Sequence, residues 1–191
     1  MTTKERIAEA GLRLFHERGY NGTSVQDIVV AAGVPKGSFY NHFSSKETLG
    51  LDAVDRFSGS LALETLAGPT GSPVARIEEN LRHRVALAGR NDFARGCLLA
   101  NLAAEVPAHS QALGDAVHGH LQRWQAALAE TLREAQDAGE VARTVPAEAL
   151  ADYLVSGFEG AMSRARLVRD RQPLDAFIDV TFATVLARPA G

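Results

Sequence analysis

Cysteine is almost absent: Cys97 is the single one in 191 residues. An intramolecular disulfide framework and a cysteine-rich metal site are therefore excluded. No apolar run approaches the ~18 uninterrupted residues that a membrane span requires. The opening residues, Met-Thr-Thr-Lys-Glu-Arg, are polar and charged where a signal peptide carries an apolar segment. A cytoplasmic protein without a membrane partner is expected. No alternating β-branched run bounded by turn residues occurs, so there is no strand to place. No repeat or low-complexity tract is found either. Charge of one sign is also missing: 20 Lys+Arg stand against 23 Asp+Glu, a formal net charge of −3. That balance excludes a polycation coating nucleic acid through bulk charge. What remains is the mixture of a soluble globular chain, 46% hydrophobic and 23% charged. Its length suits one domain or two.

Helical periodicity fills the chain. Ile7, Ala10, Leu14 and Phe15 share one face, which predicts a helix over 3–18 stopped by Gly19. Thr23 or Ser24 offers the next N-cap, with Asp27 placed for a capping box after Ser24, and Gly33 breaks that helix. Pro35 opens a third helix, since its missing N–H has no partner there in any case. Ser44 or Ser45 caps a long fourth helix from about 45 to 67. The run Gly68-Pro69-Thr70-Gly71-Ser72-Pro73 is the clearest break. Helices are expected beyond it near 74–90, 95–105 (closed by Pro107), 109–138 (ended by Gly139), 147–170 and 174–187. The fold class is all-α, with about nine helices.

The densest signal lies between Thr23 and Phe43. Two short helices meet at Ala32-Gly33-Val34, the plan of a helix-turn-helix. Val25, Ile28, Val34, Phe39 and Phe43 supply inner faces. Lys36, Gly37, Ser38, Tyr40, Asn41 and His42 are left outward or near helix ends. Lysine donates to phosphate or guanine, and Ser, Tyr and Asn hydrogen-bond phosphates or base edges. Gly37 has no side chain to hold the helix off a groove. Thr23 and Ser24 stand at a helix N-terminus, where free N–H groups favour a phosphate. Lys46 opens the fourth helix and adds a further backbone contact. Residues 1–50 carry six Lys+Arg and five Asp+Glu, leaving a net +1, so the acidic excess belongs to residues 51–191.

Residues 5–52 resemble the DNA-binding domain of TetR-family transcriptional repressors. The likeness runs through Ile7-Ala8, Leu14-Phe15, Gly19-Tyr20, Thr23-Ser24-Val25, Asp27-Ile28, Ala32-Gly33-Val34, Lys36 to Phe43 and Ser45-Lys46-Glu47. It implies three N-terminal helices for DNA (1–50), a linking fourth helix, and a helical ligand-binding and dimerisation domain (51–191). It also implies phosphate contacts at Thr23, Lys36, Tyr40, His42 and Lys46. Pro35 departs from the small polar residue common in the family, and Phe39 stands for the commoner leucine or isoleucine. The partners implied are double-stranded operator DNA, a second copy of the chain and a small-molecule inducer.

Beyond residue 69 the resemblance is one of length and layout. The last two helices are expected to form the homodimer, through Leu154, Gly157, Phe158, Ala161, Phe177, Ile178, Thr181, Phe182 and Val185; these residues also suit an intramolecular core. A ligand pocket needs a few polar groups in an apolar setting. The candidates are Phe93, Cys97, Asn101, Glu105, His118, Leu121, Trp124, Phe158 and Met162, with plain core as the other reading. Cys97, near Arg95 and a helix start, also fits a thiol sensor of oxidants or electrophiles, although free cysteines are most often buried and inert.

No catalytic constellation emerges: there is no nucleophile elbow, phosphate loop or Gly-x-Gly-x-x-Gly. His118 and His120 lie two apart and do not share a helix face. No enzyme, cofactor or metal site is expected. The function expected is a repressor released from a palindromic operator by a small molecule. The alternatives are a helical small-molecule binder or enzyme with a relic DNA-binding domain, and a repressor switched through Cys97.

Overall fold

In a computed structural model of the chain, residues 1–68, 71–106 and 110–187 are described. Among them run nine α-helices and no strand. Three short N-terminal helices are α1 (Thr3–Arg18), α2 (Val25–Ala32) and α3 (Lys36–Tyr40). Then come α4 (Lys46–Ser58), α5 (Pro73–Gly89), α6 (Leu98–Glu105), α7 (Gln111–Asp137), α8 (Ala147–Val168) and α9 (Gln172–Val180). A π-helical turn, Thr181–Val185, continues α9. The expected break at Pro69–Thr70, the stop at Pro107 and the start at His109 lie outside the described residues.

The local chemistry of the starts and stops is visible. Ser24 and Asp27 form a reciprocal capping box, and Thr2 and Glu5 form another at α1. Gly33 ends α2 in the left-handed region at φ 63°, where only glycine sits without a steric cost. Helix α4 is shorter than the expected 45–67. Beyond Ser58 the chain makes two 3-10 turns, Gly59–Leu61 and Leu63–Thr65, with Ala62 at φ 50°. Buried side chains of α5 take up the carbonyls released there: Asn80 donates to Leu61 O and Ala62 O, and Arg76 to Leu66 O and Gly68 O. Helix α6 begins at Leu98 rather than 95, because Asp92, Phe93 and Gly96 all have positive φ.

Two compact units result, and they do not follow chain order. The first comprises Met1–Gly59 with Cys97–His120, the second Ser60–Gly96 with Leu121–Gly191. In the first, Ile7, Leu14, Phe15, Ile28, Phe39, Leu49 and Val54 are fully buried or nearly so. Helix α6 and the start of α7 join this core through side chains. Leu113 packs where a side chain at Gly50 would stand, Ser110 bonds Glu47, and His120 Nε2 lies 3.0 Å from Asp55 Oδ1. In the second unit, Ile77, Leu81, Trp124, Leu128, Leu132, Leu154, Phe158, Leu174 and Ile178 form the core.

Candidate functional site

Helix α3 is short, five residues between Pro35 and Asn41. Phe39 is fully buried and stacks beside Phe43 at 5.9 Å. These rings anchor the helix, so the opposite residues face out. Lys36, Gly37, Tyr40, Asn41 and His42 are exposed and Ser38 is half-buried. Tyr40 is 56% exposed and rests edge-on against Phe39. A side chain added at Gly37 would meet nothing within 4 Å, so the backbone there is open to close approach. Ser24 is exposed at the N-terminus of α2, where its hydroxyl accepts from Asp27 N and completes the capping box. The same hydroxyl donates to the Asp27 carboxylate, and that bond is the main cause of the lowered Asp27 pKa.

Two expected contacts point inward instead. Thr23 is buried, and its hydroxyl donates to Gly19 O at 2.8 Å and Leu14 O at 3.3 Å. Lys46 donates its ammonium to Tyr20 O at 3.0 Å and Thr23 O at 3.1 Å, 4.1 Å from the centre of the Tyr20 ring. Both side chains tie the α1–α2 turn to its own unit rather than facing outward. Burial lowers the Lys46 pKa, against the opposing pull of Glu105, and it raises that of Tyr20, helped by the charge of Glu47.

The expected ligand residues divide between the units. Cys97, Asn101, Glu105 and His118 belong to the first; Phe93, Leu121, Trp124, Phe158 and Met162 belong to the second. Glu105 is turned to the α1–α2 turn, where it accepts Asn21 N at 3.1 Å. His118 is exposed while His120 is buried, as two positions on one helix dictate. Cys97 is buried at the N-cap of α6, and Asn101 and Leu121 are half-buried. Phe93 lines a groove of about 250 Å³ with Arg82, Val85, Gly89, Arg171 and Asp175. Trp124 and Phe158 do meet, edge to face at 5.8 Å, with Met162 also buried on α8.

Sequence reading missed the polar groups beside that aromatic pair. Trp124 Nε1 donates to Asn80 Oδ1 at 3.0 Å, and Arg84 Nη2 donates to Glu159 Oε1 at 2.7 Å. The signal was present: Asn80 and Arg84 fall on the stripe of α5 set by Ile77, Leu81 and Ala88.

Four of the expected dimer residues, Leu154, Phe158, Ile178 and Thr181, are fully buried within one protomer, and Ala161 is nearly so. Here they are core rather than interface. Gly157 is occupied from within as well, by the ring of Phe177. Phe177, Phe182 and Val185 are half-buried.

Residues 7–53 match the model of the bacterial regulatory proteins of the tetR family, and residues 73–181 match the tetracyclin repressor-like C-terminal domain. The chain belongs to the TetR family of transcriptional regulators. It is 34% identical to the HTH-type transcriptional repressor DhaR of Mycobacterium sp. strain GP1, over 96% of this chain and 92% of that one. It is 36% identical to the transcriptional regulator AcuR of Cereibacter sphaeroides, over 91% and 80% respectively. Among solved structures, the regulatory protein TetR from Rhodobacter sphaeroides superposes with a TM-score of 0.86 at 35% identity, covering 92% of this chain and 95% of that one. This TetR-family chain is thus a DNA-binding transcriptional regulator, with α2 and α3 as its helix-turn-helix. Among the described residues no helix is long and apolar enough to cross a membrane, and no cluster of metal-ligating side chains occurs.

Proposed function

We propose that this regulator represses transcription by occupying a palindromic operator as a homodimer, and that a small molecule bound by its second unit releases it. The observation that carries the reading is the exposed set Lys36, Gly37, Tyr40, Asn41 and His42, held outward by the buried Phe39. Lys36 and Gly37 lead the helix into the major groove; Tyr40 and His42 reach phosphates, and Ser38 and Asn41 meet phosphates or base edges. Ser24 adds a contact at the start of α2.

Two heads are needed because one short helix reads few bases, and a dimer places two about one helical turn of DNA apart. Support for pairing comes from α8. Tyr153, Gly160 and Leu167 recur every seven residues and all are exposed, Leu167 at 83%. That outward stripe, with the half-buried Phe177, Phe182 and Val185, is the interface proposed. Release follows if the ligand binds one conformation of the dimer more tightly than the other; equal affinity for both shifts nothing. The aromatic pair Trp124 and Phe158 is the proposed centre of the ligand site.

A gel shift on the DNA upstream of the protein's own gene tests the reading. A shift that wild type gives and the Tyr40→Ala variant loses supports it. Equal binding by wild type and variant, or none by wild type, removes it.

A further inference from the structure

The core of the second unit contains an ion pair. Arg84 of α5 and Glu159 of α8 join at 2.7 Å, with side chains 6% and 12% exposed. The guanidinium carbon of Arg84 lies 3.9 Å from the ring centre of Trp124 and 5.2 Å from that of Phe158. The wall behind the cation is fixed independently of it. Trp124 is held by Asn80, whose amide is in turn held by the carbonyls of Leu61 and Ala62.

Such a pair is a weak source of stability, since apolar residues of similar volume commonly serve as well or better. A desolvated guanidinium with its flat face on aromatic rings and its edge on a carboxylate is, however, a strong receptor for a planar anion. The pair is also graded in depth. Arg84 is the inner member and is braced from behind. Glu159 is the outer one, its side chain 12% exposed against 6% for Arg84. Of the two, Glu159 lies nearer to solvent.

We propose that Arg84 anchors a small-molecule carboxylate with an apolar body, which takes the place of Glu159 on Nη2 while Trp124 and Phe158 hold the guanidinium from behind. A monocarboxylate keeps the charge balance when Glu159 turns to water. A neutral amide brings no charge to replace that of Glu159, and a phosphate dianion brings one more than Glu159 supplied. The apolar body is matched by the buried Leu81, Val85, Val155 and Met162 of the same two helices. This names the inducer class for the regulator proposed above and rests on that reading for its effect on DNA.

The test is calorimetric titration of the full chain with the acids from acetate to octanoate and with benzoate, each against its primary amide. At least one acid is expected to bind, its amide at least about tenfold more weakly. Glu159→Gln is expected to tighten the acid by about tenfold, because the competing carboxylate is gone, and Arg84→Met to abolish binding. If no acid binds wild type, if acid and amide bind alike, or if Arg84→Met retains the acid, the proposal is overturned; the first two outcomes need no variant to fold. A parallel gel shift separates the two readings. A protein that shifts operator DNA but binds no acid keeps its regulator role and loses this site. One that binds acid but shifts no DNA keeps the site and loses that role.

Discussion

Glu105 of α6 accepts the backbone N–H of Asn21 at 3.1 Å, and its carboxylate fills the space that a side chain at Gly19 would need. The two partners are 84 residues apart in sequence. The turn that leads into the helix-turn-helix is thereby held by a helix outside the DNA-binding sequence. Lys46 grips the same turn from α4.

Gly19→Ala meets two obstacles, a backbone φ of 79° and the carboxylate itself. A loss of about 1–3 kcal/mol is expected. Glu105→Ala removes one surface-exposed hydrogen bond and is expected to cost under about 1 kcal/mol. The double variant relieves the clash but not the dihedral strain, so its loss should be smaller than the two single losses combined. Urea unfolding of the four proteins checks this; strict additivity would show that the contact is not made.

Lys36→Ala should weaken operator binding and lower the slope of log K against log salt by about 1.8 for the dimer, about 0.9 for each ammonium that meets one phosphate. Tyr40→Ala should weaken binding to every sequence alike, as a backbone contact does. Fluorescence anisotropy over a salt series reads both effects. An unchanged slope for Lys36→Ala would remove that phosphate contact.

The carboxyl of Asp27 titrates below its ordinary 3.8 because Ser24 hydrogen-bonds its charged form. A carboxylate lowered in the folded state adds stability that is fully present above 3.8 and is lost as pH falls through the folded value. Ser24→Ala removes that cause and the helix cap together. The variant should melt lower at neutral pH, and the gap to wild type should narrow as the pH drops below 3.8. Thermal melts across the acid range decide it, and a gap that stays constant to the lowest pH would sink the assignment.

Gly157 and Gly160 stand one helical turn apart with opposite surroundings. A Cβ at Gly157 runs into Phe177, whereas one at Gly160 meets open space. Gly157→Ala should cost about 1–3 kcal/mol through overpacking. Gly160→Arg should leave the melting temperature of a protomer little changed yet convert a dimer to monomers in sedimentation velocity. If Gly160→Arg remains dimeric, the proposed interface is misplaced.

Much of this fold was legible because it is written locally. The Ser24–Asp27 box, the stops at Gly19 and Gly33, and the apolar stripe of α1 all depend on neighbours within a turn or two. The end of α4 was not, because Asn80 and Arg76 settle it from the next helix by taking the carbonyls around Leu61–Gly68. The outward face of α3 could be read from residue type and spacing. Thr23 and Lys46 could not be placed that way, since a hydroxyl or ammonium that suits a phosphate suits a backbone carbonyl equally well. On α8 the apolar period was plain, but which apolar face meets its own chain and which is left over depends on where α9 packs. Arg84 was passed over because a charge on an apolar stripe reads as an interruption until its partner on another helix is known.

Trp124 is the chain's single tryptophan, and it stands in the second unit between a cation and an aromatic ring; two of the three tyrosines, Tyr20 and Tyr40, lie in the first. Indole emission therefore reports on one unit alone. A guanidinium seated on the ring gives that emission a built-in sensitivity to whatever moves Arg84, so ligand arrival and the unfolding of the second unit can both be followed by light without any label, while the DNA-binding unit adds no indole signal.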